Sequence, residues 1–329
     1  MTEKKLRVGI LGAARIVPSA LIVPARSVPE VEVACVAARD PIRAQEFARK
    51  HQIPGVAASY EELLADDTLQ AIYNPLPNSL HAKWSVRALE AGKHVLCEKP
   101  FTSNEEEAQQ VAAVAERTGL VAMEAFHWRY HPLATRMLGI VARGELGAVK
   151  HIETTMCVPI PLPGDIRYKL ELGGGATMDT GSYAISMLRH LAGAEPTVER
   201  AEARLSSPGV DRWMRAEMRF ADGRTGAITC SLWSSTLLSI KARVEGELGT
   251  MDVFNPVAPQ FFHRLTVTTK AGDVRRERLA PATTYTCQLR AFAGAVLRGE
   301  PIATGAEDAV KNMRVIDAVY RAAGLPRRG

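Results

Sequence analysis

Apolar residues fall into two regimes along this chain. In the first third they come as short blocks, Leu6 to Leu11, Val31 to Ala37, Gln70 to Asn74, His94 to Cys97 and Leu120 to Glu124, each of strand length and bounded by turn-forming residues. Helical patterns lie between them. Asp40-Pro41 opens one, with a carboxylate to accept first-turn amides and a proline at the first helical position. Another runs from about Leu80 to Ala91, with Asn78 or Ser79 as its cap and Gly92 as its stop. Ser103-Asn104-Glu105-Glu106 reads as a capping box for a third, ending at Gly119. Strand–helix units at this spacing predict a parallel sheet covered on both faces, doubly wound because crossovers are right-handed. Ligands of such sheets sit at the carboxyl ends of the strands.

From about Lys150 the pattern lengthens. Val198 to Leu205, Trp213 to Phe220, Thr225 to Trp233 and Ile240 to Glu247 predict longer, partly alternating strands, and Ala221-Asp222-Gly223-Arg224 is a hairpin signal. Thr304-Gly305-Ala306-Glu307 reads as a second capping box, for a helix ending near Gly324. The expected fold class is α/β. A doubly wound parallel sheet occupies residues 1–125, and an α+β domain with a large, mostly antiparallel, open-faced sheet occupies residues 126–329.

Composition narrows the class. A chain of 329 residues, 47% hydrophobic and 23% charged, has room for two cores. No apolar run approaches the roughly 18 residues that would signal a membrane helix. The start, MTEKKLRVGILG, carries no leader-like apolar region, so the expectation is cytoplasmic, with no membrane partner. The net charge is only +5. The densest basic clusters, Arg275, Arg276 and Arg278, and Arg327 with Arg328, lack interleaved aromatics and read as solvated faces rather than a nucleic-acid surface. Five widely spaced cysteines with no CxxC pair predict reduced thiols, neither a disulfide framework nor a zinc site.

Candidate chemistry lies at strand ends. Gly12 follows the first strand as the first glycine of a dinucleotide turn, but Ala14 and Val17 stand where two more glycines would be. Ala14 still permits close backbone approach to a pyrophosphate, and the helix start after Arg15 and Ile16 supplies amides and a positive dipole. A plain tight turn is the competing reading. After the second strand, Ala38 replaces the acidic residue that binds ribose hydroxyls in NAD sites, and Arg39 follows. Alanine leaves room for a 2′-phosphate, and a guanidinium pairs with one for about 1.5–3 kcal/mol. NADP is therefore preferred, with NAD still possible, unless Arg39 is merely a solvated side chain. Asp40 suits a helix cap better than a ribose ligand.

Two further segments carry chemistry. The strand His94 to Cys97 delivers Glu98 and Lys99 at its carboxyl end, and Pro100 biases Lys99 to extended geometry. A lysine in that crevice suits proton donation beside a nicotinamide; the bland alternative is a surface Lys-Pro turn. Gly173-Gly174-Gly175 leads into a helix to about Ala192, with Gly193 as its stop. Asp179 and Tyr183 share one face, while Ala184, Ile185, Leu188 and Leu191 suit a core. A carboxylate and a phenol together orient a polyol and supply a proton; the alternative is a capped helix with a surface tyrosine.

GILGAAR, YNPLPNSLH, HVLCEKP, MEAFHWRYHP and DIRYKLELGGGATMDTGSY resemble, in order and spacing, the Gfo/Idh/MocA oxidoreductases. The resemblance implies a Rossmann domain joined to an open-faced sheet domain, and hydride transfer between NADP and a secondary alcohol or carbonyl of a sugar-like substrate. It makes Lys99 a catalytic residue beside the nicotinamide, with a cis bond to Pro100. Asp179 becomes a contact of substrate or of that lysine. Tyr183 stands where many members carry histidine, as in the branch with glucose–fructose oxidoreductase and dihydrodiol dehydrogenase. Pro75, Asn78 and His81 match the loop over the cofactor, and Glu98 a residue beside its ribose. Trp128, Arg129 and Arg167 resemble cofactor or substrate contacts, and His127 and His131 are either substrate ligands or core or surface histidines. The proton donor is Tyr183, Lys99 or both. The resemblance also implies a homodimer or homotetramer through the open sheet. Two alternatives stand beside this reading: oxidation of a non-sugar diol, and an NADP-binding regulatory protein without turnover.

Overall fold

A computed structural model describes residues 5–162, 164–279 and 281–329. Its first sheet has six strands, β1 (Leu6–Leu11), β2 (Val31–Ala37), β3 (Gly55–Val56), β4 (Ala71–Asn74), β5 (His94–Cys97) and β6 (Ala122–Glu124). They lie in the order β3-β2-β1-β4-β5-β6. Each neighbouring pair is parallel. The order reverses between β1 and β4, the switch point at which such sheets bind ligands. Leu6, Val8, Ile10, Ile72, Tyr73, Val95 and Leu96 are at most 1% exposed, as covering on both faces demands.

The helices of this region are α1 (Val23–Ala25), preceded by a π-helical turn Pro18–Ile22, then α2 (Pro41–His51), α3 (Tyr60–Ala65), α4 (His81–Glu90) and α5 (Glu105–Thr118). Asp40 caps α2 as expected, its Oδ1 accepting from the amides of Ile42 (2.9 Å) and Arg43 (3.4 Å). Two other caps differ from expectation. Asn78–Leu80 winds into a 3-10 turn and α4 starts at His81 without a side-chain cap. α5 opens at Glu105, one residue later than a Ser103 cap would place it, and the Glu105 amide donates to Asp317 at 2.9 Å. β3 and α3 were not anticipated, since two strand residues and six helical ones leave little periodic signal.

The second sheet contains β7 (Val149–Cys157), β8 (Thr197–Ser207), β9 (Val210–Arg219), β10 (Thr225–Ser231), β11 (Ser239–Gly246), β12 (Gly249–Phe254), β13 (Arg264–Thr269) and β14 (Val274–Glu277). Its order is β14-β13-β12-β11-β7-β10-β9-β8. β7 and β10 run parallel, and the other pairs are antiparallel. The β9–β10 hairpin turns at Gly223, with φ +87°. Along β9, Met214, Ala216 and Met218 are buried while Arg215, Glu217 and Arg219 are exposed, so one face is core and the other open. α7 (Ser182–Ala192) covers the core face: the Thr154 hydroxyl of β7 donates to Ala184 O at 2.7 Å, and a Cβ on Gly226 of β10 would come within 2.8 Å of Leu188. The remaining helices are α6 (Pro132–Ala142), α8 (Thr284–Arg298) and α9 (Ala306–Ala322).

The chain forms two compact units. One holds the residues up to Thr102, Glu106–His127 and Tyr285–Val310; the other holds Ser103–Glu105, Trp128–Thr284 and Lys311–Gly329. The stretch Tyr285–Val310, placed by sequence with residues 126–329, thus groups with the parallel sheet. The reason is local. Thr304 Oγ1 donates to Glu124 O at 2.7 Å, and the Glu124 amide to Thr304 O at 2.8 Å, which extends the β6 edge. The Thr304 hydroxyl is committed there, and α9 begins two residues later at Ala306.

Candidate active site

In the first unit the turn after β1 is built around Gly12. Its φ is +93° and its amide donates to Ala37 O at 2.7 Å. An added Cβ would sit 3.1 Å from Leu76 and 3.6 Å from the Tyr60 hydroxyl, so with its positive φ this position takes glycine. Ala14 and Ile16 are half-buried and Arg15 is exposed; Val17, in the third glycine's place, is fully buried. At the end of β2, Ala38 joins Ala13 and Ala44 in a small apolar shelf packed by Phe47. Arg39 is exposed beyond it. Sequence reasoning missed Arg43, whose Nη2 donates to Ala13 O at 2.9 Å, bringing a second guanidinium against the glycine turn. The signal was present: Arg39 and Arg43 are four apart across the start of α2. Burial holds the Tyr60 phenol above its ordinary pKa, against the hydrogen bond it makes to the Arg39 backbone. With the Asp40 carboxylate committed to capping and no acid at position 38, this donor set fits the diphosphate and 2′-phosphate of a dinucleotide.

Lys99 leaves the carboxyl end of β5 through a cis peptide to Pro100 and is half-buried. A framework surrounds it. Glu98 Oε1 accepts from the Tyr73 hydroxyl at 2.6 Å. Burial first, and the Glu98 carboxylate second, push the Tyr73 phenol well up in pKa. Tyr285 of α8 is pushed up by the same two causes, and its ring lies 4.1 Å from that of His127. Asn74 donates to His81 O and to Ser85 Oγ, each at 3.1 Å. Tyr73 and Tyr285 were missed because nothing local marks an interior strand tyrosine or the first turn of α8.

The structure revises His81 as a cofactor contact and bears out the core reading of His127. His81 is fully buried, with Nδ1 2.8 Å from Pro100 O and Nε2 2.7 Å from Leu76 O, so it ties the Pro75–Asn78 loop to the residue after Lys99 and has no face left for a cofactor. His127 is only 4% exposed against Tyr285. Pro75 is buried and Asn78 half-buried in that loop.

The second unit presents a separate set. Asp165 caps the 3-10 turn Ile166–Tyr168 and accepts from Arg167 Nη1 at 3.1 Å. Arg167 Nε donates to Asp179 Oδ2 at 2.9 Å. The Asp179 charge, ahead of Asp165, raises the Arg167 pKa. Asp179 lies in a π-helical turn, Thr177–Gly181, that runs into α7, and Tyr183 is buried in the first turn of α7. Arg167, expected among the cofactor contacts, is thus Asp179's partner. Trp128 is fully buried edge-on against His190 (5.4 Å), a core residue rather than a ligand contact. Burial, and after it the charge of the half-buried Arg129, lowers the His190 pKa to about 4. His131 caps α6, its Nδ1 accepting from Leu133 N at 3.0 Å. Among the described residues no helix is long and apolar enough to cross a membrane, and no cluster could hold a metal ion.

A doubly wound parallel sheet with a glycine turn at its switch point, in a chain whose second unit is built on a large, mostly antiparallel sheet, defines a dinucleotide-dependent oxidoreductase. Residues 6–126 match the oxidoreductase family with an NAD-binding Rossmann fold, and residues 135–252 match the GFO/IDH/MocA C-terminal domain. The chain belongs to the Gfo/Idh/MocA family. It is 38% identical over 317 residues to D-xylose 1-dehydrogenase (NADP(+)) 2 of Haloferax volcanii, covering 96% of each chain. It is 32% identical over 255 residues to trans-1,2-dihydrobenzene-1,2-diol dehydrogenase of Sus scrofa, covering 76% of this chain and 75% of that one. A crystal structure of a 3-ketoreductase from Actinomadura kijaniata, in complex with NADP and TDP-benzene, superposes with a TM-score of 0.89 at 29% identity, covering 97% of this chain and 98% of that one.

Burial holds His81 at a pKa of about 4 and His127 at about 3, in each case with the Lys99 charge adding to the depression. Both rings are neutral when folded, whereas the unfolded chain protonates them near the ordinary value of about 6.5. Stability is therefore full above about pH 6.5 and falls as pH drops toward the folded values, by about 1.4 kcal/mol per pH unit for each ring. Urea unfolding measured from pH 7 to 4.5 is expected to show this slope, reduced by one ring's share in His127→Phe; an unchanged slope in that variant contradicts the assignment.

Proposed function

We propose that the protein is an NADP-dependent oxidoreductase acting on a secondary alcohol or carbonyl of a sugar-like substrate. The observation that carries the reading is Lys99, delivered by β5 to the same sheet edge that holds the Gly12 turn, in a frame of Glu98, Tyr73 and His81. The D-xylose dehydrogenase and the 3-ketoreductase, both named with NADP, favour it.

Bound NADP supplies or accepts the hydride. Arg39 and Arg43 hold its 2′-phosphate, the Gly12–Ile16 turn its diphosphate, and Glu98 a ribose hydroxyl. Lys99 stabilises the alkoxide that develops on the reacting oxygen. The proton that this oxygen gains or loses is carried by Tyr183, Lys99 or both. Asp179, steadied by Arg167, orients a neighbouring substrate hydroxyl. In this reading residues 1–125 bind the cofactor and residues 126–329 bind substrate. The open sheet face, with Arg215, Glu217 and Arg219, pairs with another copy as a homodimer or homotetramer. The five cysteines, all free, suit a reducing cytoplasm.

A second reading, oxidation of a non-sugar diol, is favoured by the similarity to the Sus scrofa trans-1,2-dihydrobenzene-1,2-diol dehydrogenase. A panel of aldoses, inositols and aromatic dihydrodiols separates the two, and turnover of dihydrodiols alone would replace the sugar reading. Lys99→Met is expected to lower kcat by at least about 10²-fold, the usual scale of acid–base contributions, with NADP binding kept; near-normal turnover removes the lysine from the chemistry. Arg39→Ala is expected to raise the KM for NADP by about tenfold or more while leaving that for NAD nearly unchanged, since only NADP loses a charge-assisted bond. Equal changes in steady-state assays would refute the phosphate contact.

A further inference from the structure

Arg328, half of a basic pair expected on a solvated face, is fully buried. Its guanidinium stacks over the Tyr320 ring at 4.0 Å and pairs with the equally buried Asp211 of β9, Nη2 to Oδ1, at 3.1 Å. Its Nε donates to Gly174 O at 2.8 Å and its Nη1 to Pro326 O at 2.9 Å. Asp211 is a hub. Oδ2 accepts from the Thr177 amide and the Thr177 hydroxyl, each at 2.7 Å, and Oδ1 accepts from the Tyr320 hydroxyl at 3.0 Å as well as from Arg328. Burial, then the Asp211 charge, keeps the Tyr320 phenol protonated and therefore donating.

We propose that Arg328 and Asp211 are positioning residues for substrate binding, a buried ion pair that clamps the Gly174–Thr177 turn and so sets the placement of Asp179 and Arg167. The proposal rests on the reading that this segment faces substrate. The linkage is short. Gly175 lies against the pair so closely, at φ +135°, that a Cβ there would be 2.2 Å from Asp211 Oδ1 and 2.7 Å from the Tyr320 hydroxyl. The Gly175 amide donates to Arg167 O at 2.8 Å, and the Gly175 carbonyl accepts from the Asp179 amide at 3.1 Å. One glycine thus holds the backbone of both partners in the Arg167–Asp179 ion pair, and the clamp fixes that glycine. A buried ion pair is weak evidence for stability, and its best-attested use is to fix registry. The planar guanidinium fork meets Gly174 O and Asp211 together; an ammonium is a single point charge and serves that pair poorly.

The test is amide hydrogen exchange in Arg328→Met and Arg328→Lys, read by peptide. Exchange across residues 173–181 is expected to rise by about tenfold or more in Arg328→Met and less in Arg328→Lys, with residues 184–191 and 214–218 within about twofold of wild type, as a local opening requires. With D-xylose and NADP+ as probes, kcat/KM is expected to fall by about 10²-fold, the scale of an ångström's misplacement, while NADP+ affinity stays within about twofold. A uniform rise throughout the second unit, or no change at 173–181, overturns the proposal in favour of a plain core contact. If the wild-type enzyme leaves D-xylose untouched, that substrate reading fails while the exchange result still decides the clamp.

Discussion

The parallel ladder from β1 through β4 to β5 is the constraint on which the cofactor half depends. Ile10 pairs with Tyr73, and Tyr73 with Leu96, so the three strands end nearly level. Their next residues, Gly12, Pro75 and Glu98-Lys99, therefore leave one edge of the sheet. The same register aims the Tyr73 hydroxyl at Glu98. A slip of one residue in β4 would turn Tyr73 to the opposite face and leave Glu98 without that donor. The glycine turn matters only because this ladder brings it beside Leu76 and Tyr60.

The second unit solves a different problem. Its polar groups are placed by the start of a helix, which is stiffer than a loop. The chain must leave the 3-10 turns, reverse, and enter a wide helical turn within a few residues, and three successive glycines permit this for separate reasons. Gly173 takes a left-handed φ of +70°. Gly174 has no room for a Cβ beside the Arg167 and Lys169 carbonyls, and Gly175 has none beside Asp211. The carboxylate and guanidinium of Asp179 and Arg167 then meet on a backbone that has little freedom to separate them.

Much of this was legible in the chain because the signals were local. Strand blocks ending in Gly12 and Lys99 and the aspartate before Pro41 each survive without knowledge of packing. What was not legible depends on where side chains point. Trp128, His81 and His131 lie in motifs that look like contacts, but each side chain is fully buried within protein. Arg328 misled in the other direction: nothing in a short basic run tells that Asp211, 117 residues away, waits for it in the interior. The strands β7, β12, β13 and β14 escaped because their polar face, open on one side, dilutes the apolar signal.

His81 and His127 bear on the electrostatics around Lys99. Both His81 nitrogens approach carbonyl oxygens, yet a neutral ring has one hydrogen to donate. The second contact favours a cation, and burial with the Lys99 charge opposes one. Burial wins, as the low pKa records. His127, with its ring tilted against that of Tyr285, is driven the same way. Histidines that protonated near neutrality would add positive charge around Lys99 and make the local field vary with pH. Keeping both neutral removes two pH-dependent charges from the surroundings of Lys99.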